Sequence, residues 1–471
     1  MFPERAGVRG CAVRECEGPA TSHGGPLSPS LPKMPVPIRP LVRLATIVPL
    51  VASSLTAQPA ARLTSDADRR ASQVEAKVIA WRRDFHEHPE LSNRETRTAG
   101  IVAAHLKQLG IETRTGVAHT GVIGVLEGGR PGPVVALRAD MDALPVTEQV
   151  NVPFASKVRT TYNGQEVGVM HACGHDAHTA MLMGVAEVLA GMRAQLPGTV
   201  VFVFQPAEEG PPAGERGGAR LVIEEGGISN PAPSAIFGLH VMPLPAGQIG
   251  YRPRGLMASA DWLRVTVHGK QTHGAQPWNG VDPVTVAAQV VLGLQTIPSR
   301  QLDLTIAPAI ITIGSIQGGI RENIIPDSVV LRGTIRTFDP AMQKDVHARI
   351  RRTAEDIARS AGARADVGIS ELTAVTWNDP ALTTRMVPSL ERVAGASNVV
   401  LVSPATVAED FSYYQQKVPG LFVFLGIAPK DDPKKAAPNH SPLFYVDESA
   451  LVTGVRTLSS LALGYMAAGA R

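Results

Sequence analysis

Apolar residues first recur at helical spacing at Val74, Val78, Trp81 and Phe85, which predicts an amphipathic helix that Pro89 ends. A second helix is expected from about Glu95 to Leu109, closing on Gly110. The pattern then changes to short apolar runs, GVIGVL, PVVALRADMD, TVVFVFQPAEEG and SAIFGLH, alternating with helical stretches such as TAMLMGVAEVLAGM. Runs that are apolar on both faces and separated by helices predict a mostly parallel sheet covered by helices. Between residues 259 and 376 the texture becomes strand, helix, strand, strand, helix, strand, the split βαβ plan of a ferredoxin-like α+β domain. The first texture resumes afterwards with a helix near 381 to 394, NVVLVS, LFVFLGI and a C-terminal helix. The expected fold is therefore α/β, a larger mostly parallel domain built from residues 66–258 and 377–471, with a smaller one inserted at 259–376.

Length supports two domains, because 471 residues exceed one ordinary core. The formal charge of +3 arises entirely from residues 1–57, and the remainder balances at 39 basic and 39 acidic residues. With aromatics at 4%, neither phosphate tracking nor base stacking is favoured, so no nucleic-acid partner is expected. No uncharged apolar run reaches the roughly 18 residues of a membrane span, so the mature protein is expected to have none. From Met34, Arg39 and Arg43 precede an apolar stretch, Leu44 to Leu55, and small residues ending at Ala57. That is the layout of a secretory signal; it makes Met34 the expected start and the periplasm or exterior the expected location, the cytoplasm being the alternative. Cys11 and Cys16 lie before Met34 in the irregular leader, residues 1–57, which leaves Cys173 alone in the body and excludes a disulfide framework there.

Three strand-like runs end in potential ligands: VVALR in Asp140 and Asp142, VFVF in Glu208 and Glu209, AIFGL in His240. Functional groups gather beyond the carboxyl ends of strands in open α/β sheets. HACGHDAH at 171–178 and NHSPLF at 439–444 add further Cys and His donors. Thiolate, imidazole and carboxylate together suit divalent manganese, zinc, cobalt or nickel and disfavour calcium and magnesium. Five strong donors exceed the needs of one open catalytic ion, so two ions are expected. Glu208 and Glu209 are neighbours, and on an extended segment their side chains would point opposite ways. One would bind metal and the other activate water, the assignment being open on spacing alone.

HACGHDAH, QPAEEG, GLHV, ENIIPD and NHSPLF, in this order around an inserted domain, resemble the M20 metallopeptidase family, specifically its amidohydrolase branch of hippurate and auxin-conjugate hydrolases. The resemblance covers about residues 72 to 468. It implies that Cys173, His175, Glu209, His240 and His440 hold the metals, that Glu208 is the general base, and that Asp142 orients a ligand histidine. It also implies that His273, Asn323 and Arg336 contact substrate, the histidine often reaching across a dimer formed through the inserted domain. Gln271 and Thr272 depart from the small residues commoner before that histidine. The implied reaction is hydrolysis of N-acyl amino acids, or amino acid conjugates, to a carboxylic acid and a free amino acid, with a dipeptidase or carboxypeptidase as the alternative. Two rivals lie outside this reading. A cysteine hydrolase using Cys173 and His175 leaves the AEEG and NHSP motifs without a purpose. A silent binding protein should have lost a ligand or the base, and this chain has all of them. His86, His88, His171 and His178 are expected to be structural or surface residues.

Overall fold

The computed structural model describes residues 54–429 and 432–469. Nearly all of the expected leader lies outside these residues. No described helix is long and apolar enough to cross a membrane.

An eight-stranded sheet forms the centre, in the spatial order Glu112–Val117, Gly121–Glu127, Pro197–Gln205, Arg130–Asp140, Ala235–Pro245, Gly420–Ala428, Ile249–Tyr251, Val399–Leu401. Its four middle strands, from Pro197–Gln205 to Gly420–Ala428, are mutually parallel. The GVIGVL run is not part of this parallel set: it pairs antiparallel with Pro197–Gln205 and with Glu112–Val117. A two-sided core explains the apolar runs. In Gly420–Ala428, Leu421, Val423, Leu425 and Ile427 enter one core with helices Ser54–Glu87, His175–Ala190 and Leu451–Gly469, while Phe422 and Phe424 enter the core on the opposite face.

The inserted segment builds a separate four-stranded antiparallel sheet in the spatial order Ala309–Gln317, Ser328–Thr337, Ala260–His268, Arg364–Thr373. That is second, third, first, fourth in chain order, as the ferredoxin-like plan requires. Leu263, Val265 and Val267 alternate into a core with helices Pro283–Thr296 and Pro340–Ser360, while Trp262 stays 55% exposed on the open face. The chain enters and leaves this domain along one antiparallel ribbon, Arg254–Met257 paired with Thr376–Asn378. Asn378 ties the ribbon to the central sheet, its amide donating to Phe422 O at 2.8 Å and its carbonyl accepting from Phe422 N–H at 2.7 Å.

The N-terminal helix is locked onto helix His175–Ala190 by charge as well as packing. Arg82, fully buried, donates to Asp176 at 2.9 Å and to Glu448 at 3.3 Å, and His86 Nδ1 lies 2.8 Å from Asp176. Burial raises the Asp176 pKa, but Arg82 and His86 outweigh it and hold the carboxyl well below its usual range. This stabilisation is complete above the ordinary carboxylate pKa and is lost as pH falls toward the depressed native value. Arg82→Met should therefore lower the unfolding free energy by about 3 kcal/mol near neutral pH, because it leaves a buried carboxylate short of its cation. The deficit should shrink below about pH 4, where the unfolded carboxyl is protonated. Denaturant titrations at two pH values measure both quantities.

Candidate active site

The expected donors converge at the carboxyl end of the middle strands. Cys173 and His175 flank Gly174, whose φ of +91° lies in the left-handed region and where a Cβ would collide with Val241. Only glycine lets the chain turn this sharply into helix His175–Ala190 while both neighbours face inward. His240 is not at the end of its strand, which runs on to Pro245. Its neighbour Arg130–Asp140 stops pairing at the Arg138↔Gly238 level, so His240 emerges where that strand ends. Val241 O, 2.8 Å from His240 Nδ1, takes the ring proton and leaves the Nε2 lone pair facing Cys173 Sγ at 3.4 Å. His440, at a φ of +68°, is positioned by its own N–H, which donates to Ala172 O at 2.7 Å. Asn439 beside it donates to Cys173 O and Val241 O, each at 3.2 Å. Glu209 Oε1 then lies 3.1 Å from His440 Nε2 and 4.0 Å from His175 Nε2.

Asp142 organises the rest. Its carboxylate accepts the Ser92 hydroxyl at 2.8 Å and lies 3.2 Å from His175 Nδ1. It also accepts the backbone N–H groups of Glu208 and Glu209, at 3.1 and 3.0 Å. The two glutamates therefore sit on a turn gathered around Asp142 and not on the extended segment that adjacency suggested. Glu95 secures the turn from below, accepting the N–H of Ala207 at 2.9 Å and the Thr120 hydroxyl at 2.5 Å. Glu208 departs toward another group: its Oε1 accepts the Asp410 N–H at 3.3 Å. Asp410 Oδ1 in turn receives Arg138 at 3.0 Å and Gln205 at 2.8 Å, and Arg138 also pairs with Asp140 and Glu409.

Charge in this region is lopsided. Asp140, Glu208, Glu409 and Asp410 surround one buried guanidinium, Arg138, and Asp142 and Glu209 stand next to Glu208. Burial, then Glu409 and Glu209, push the Glu208 carboxyl well up, and burial with Glu209 and Glu208 does the same to the Cys173 thiol. His175 is raised to about 10: burial opposes its charge, and Asp140 and Asp142 overcome that. Burial is the largest cause at Glu208 and Cys173, with the neighbouring carboxylates adding to it, whereas at His175 the carboxylates act against burial.

The donors fit divalent cations on two observations. His175 Nε2 is buried and makes no hydrogen bond, and Glu209 Oε1, also buried, faces only the His440 and His175 rings. Ligand atoms of Cys173, His175 and His240 lie within 4.8 Å of one another, as do those of Cys173, Glu209 and His440. His178 is excluded although it is as close. Its Nδ1 meets Asp140 at 2.6 Å and its Nε2 accepts the Val241 N–H at 2.9 Å, so neither nitrogen is free, and the ring is structural. The thiol argues against a cysteine nucleophile, since its surroundings raise its pKa where an activated cysteine needs it lowered.

The three residues expected on the smaller domain stand apart. His273 and Asn323 meet where the short strands Thr272–His273 and Ile324–Ile325 pair, and the Gly274 N–H donates to Asn323 O at 2.8 Å. Arg336 is half-buried, donating to Ser259 O at 3.3 Å near the inter-domain ribbon. Among the described residues no hydrogen bond or ion pair joins any of them to the metal-ligand cluster. Arg138, Glu95, Glu409 and Asp410 are site residues that the motifs did not reveal. AEDF at 408–411, an acidic pair inside an apolar loop, was the available signal.

A central sheet carrying borderline-metal donors and a separate carboxylate at its strand ends defines a metal-dependent hydrolase of amide bonds. The chain belongs to peptidase family M20/M25/M40, whose model matches residues 136–464. It is 39% identical over 389 residues to N-acetylcysteine deacetylase of Bacillus subtilis, covering 82% of this chain and 96% of that one. It is 39% identical over 398 residues to thermostable carboxypeptidase 2 of Saccharolobus solfataricus, covering 83% and 96%. The structure of the YXEP protein of Bacillus subtilis, a dinuclear metal-binding peptidase of family M20, superposes with a TM-score of 0.69 at 37% identity, covering 83% of this chain and 98% of that one.

Two divalent ions per chain are the expected complement. Metal-stripped protein titrated with zinc or manganese should saturate at two per chain by elemental analysis. The unfolding free energy should rise by about 2.7 kcal/mol for each ion, about 5.4 kcal/mol for two, when free metal stands at a hundredfold Kd of both sites. Saturation at one ion would contradict the pairing of donors described above.

Proposed function

We propose that the enzyme hydrolyses the amide bond of N-acyl amino acids, releasing a carboxylic acid and a free amino acid. The observation that carries the reading is the divergence of two adjacent glutamates. Glu209 lies 3.1 Å from His440, while Glu208, still within 4.8 Å of donor atoms of His175 and Glu209, is turned to accept the Asp410 N–H, which suits a base beside a metal centre. In this reading Cys173, His175, Glu209, His240 and His440 hold two ions, with manganese, zinc, cobalt and nickel all suited to the donor set. When bound, the ions supply Lewis acidity that lowers the pKa of water and polarises the scissile carbonyl. Glu208 takes the proton of the attacking water and returns it to the leaving nitrogen as the C–N bond breaks. Asp142 keeps the proton of His175 on Nδ1, so that Nε2 faces the ions, and holds the glutamate turn in place.

His273, Asn323 and Arg336 are assigned to the substrate. The guanidinium and the asparagine fix the free carboxylate, and His273 polarises the carbonyl. Since they touch none of the ligands, this requires the smaller domain to close over the site, or for His273 a second copy of the chain. The deacetylase relative supports an N-acyl substrate. A peptide substrate with a terminal carboxylate is the second reading, supported by the likeness to thermostable carboxypeptidase 2, and it uses the same residues.

Glu208→Gln should leave metal content nearly intact and lower kcat by roughly 10² to 10⁴, because it keeps shape and deletes the base. Glu209→Gln should lower metal occupancy instead. Elemental analysis beside steady-state rates separates them, and the reverse pattern would exchange the two roles.

Blocking the substrate carboxylate as its amide should cost about 1.5 to 3 kcal/mol in kcat/KM, the scale of a charge-assisted hydrogen bond. Arg336→Ala should erase the difference, and His273→Ala should lower kcat more than it changes KM. Equal wild-type rates on an N-acetyl amino acid and its amide would remove the carboxylate anchor.

A further inference from the structure

A cavity of about 290 Å³ adjoins the glutamate turn and is lined by residues of the larger domain alone. Leu91, Leu144, Pro145, Thr160 and Tyr162 line it, together with Glu209. Its outer wall is the hairpin Arg159–Tyr162 and Gln165–Gly168, closed by Asn163 and Gly164 at φ values of +51° and +77°. An Asn-Gly pair with both φ positive is the turn that matches strand twist, so the hairpin is well formed despite its exposure. Thr160 and Tyr162 are half-buried against the cavity, while Thr161, also on its wall, and Arg159 are exposed.

The hairpin is anchored to the site. Gly168 N–H donates to the Thr147 hydroxyl at 3.2 Å and Ser156 N–H to Glu148 at 2.6 Å, and Glu148 lies 3.1 Å from His86, which contacts Asp176 next to His175. The opposite wall is equally fixed, because Ser92 donates to Asp142 and Leu91 bridges Ala143. The cation on this wall, Arg94, is satisfied by Glu215 at 2.5 and 3.1 Å. With Arg94 satisfied and the Glu209 carboxylate on the wall beside Ser92 and Asn163, the cavity disfavours a group with negative charge.

A second cavity, of about 480 Å³, is also lined by Glu208 and Glu209 but shares its wall with Glu371, Leu372 and Thr373 of the smaller domain. The glutamate turn thus divides a space reaching the smaller domain from one built wholly by the larger. Resting on the substrate reading above, in which the smaller domain takes the carboxylate, we propose that the hairpin cavity is the acyl subsite. Leu91, Leu144 and Tyr162 select an uncharged acyl group of aromatic size, and Tyr162 is a specificity-determining residue.

The test varies one half of the substrate at a time. In metal-loaded enzyme, Tyr162→Ala should lower kcat/KM for N-benzoylalanine about tenfold. N-acetylalanine should stay within twofold, and Tyr162→Phe should restore the wild-type ratio. An equal loss on both substrates, or no loss on either, overturns the subsite. So does a change confined to a pair differing in the amino acid, N-acetylphenylalanine and N-acetylglycine, which would give the cavity to the side chain. Calorimetric binding of N-benzoylalanine to Glu208→Gln, with and without Tyr162→Ala, separates this inference from the functional one. Tyr162-dependent binding without wild-type hydrolysis keeps the subsite and removes the reaction. Hydrolysis without Tyr162 dependence does the reverse, and neither binding nor hydrolysis removes both.

Discussion

Buried negative charge in excess of positive charge is the constraint on which this site depends. Six carboxylates meet at the end of the central sheet with Arg138 as the guanidinium among them, and in a low-dielectric interior such an imbalance is relieved only by protons or by cations. The upward shifts of Glu208 and Cys173 and the raised His175 are the protonic form of that relief. Two divalent ions would replace those protons with fixed charge, leaving the thiol, the imidazole and the Glu208 carboxyl deprotonated together. Metal binding and the ionisation of Glu208 are thus aspects of one electrostatic balance.

Asp142 shows how that balance is given a shape. A carboxylate on the loop leaving Arg130–Asp140 accepts from a serine of the Leu91–Asn93 segment, lies beside a histidine that opens a helix and holds two amides of a distant turn. Four separate stretches of chain are referenced to one small group, so an error in any of them is felt by the others. Buried polar networks of this kind specify a single arrangement when every member is satisfied.

The strands and the convergence of the donor side chains were legible in the sequence because each depends on a local pattern. Apolar runs mark strands buried on both faces, and the donors that follow them gather at one edge of the sheet, His240 doing so from inside its strand where the neighbouring strand ends. What was not legible depends on pairing between distant positions. Arg138 lies within an apolar strand and looks like an isolated interruption until Asp410, far along the chain, is seen beside it. Glu95 reads as the start of a helix, yet its carboxylate supports the turn at Ala207. Adjacency misled once: Glu208 and Glu209 diverge because Asp142 gathers their amides into a turn, not because a strand alternates. His273 and Arg336 illustrate the opposite case, where motif position can be read but contact with the site depends on how the domains are placed.

The paired strands Arg254–Met257 and Thr376–Asn378 carry a thermodynamic consequence for how such a protein can be assembled. Because the chain leaves and re-enters side by side, the inserted domain behaves, from the standpoint of the larger one, as a long loop with its ends already joined. The entropy of closing a loop grows only as the logarithm of its length, so a whole domain costs the host sheet little more than a short connection would. The ribbon also leaves the inserted segment free to fold around its own core. A change of size or shape there can be absorbed without disturbing the strands that carry the ligands.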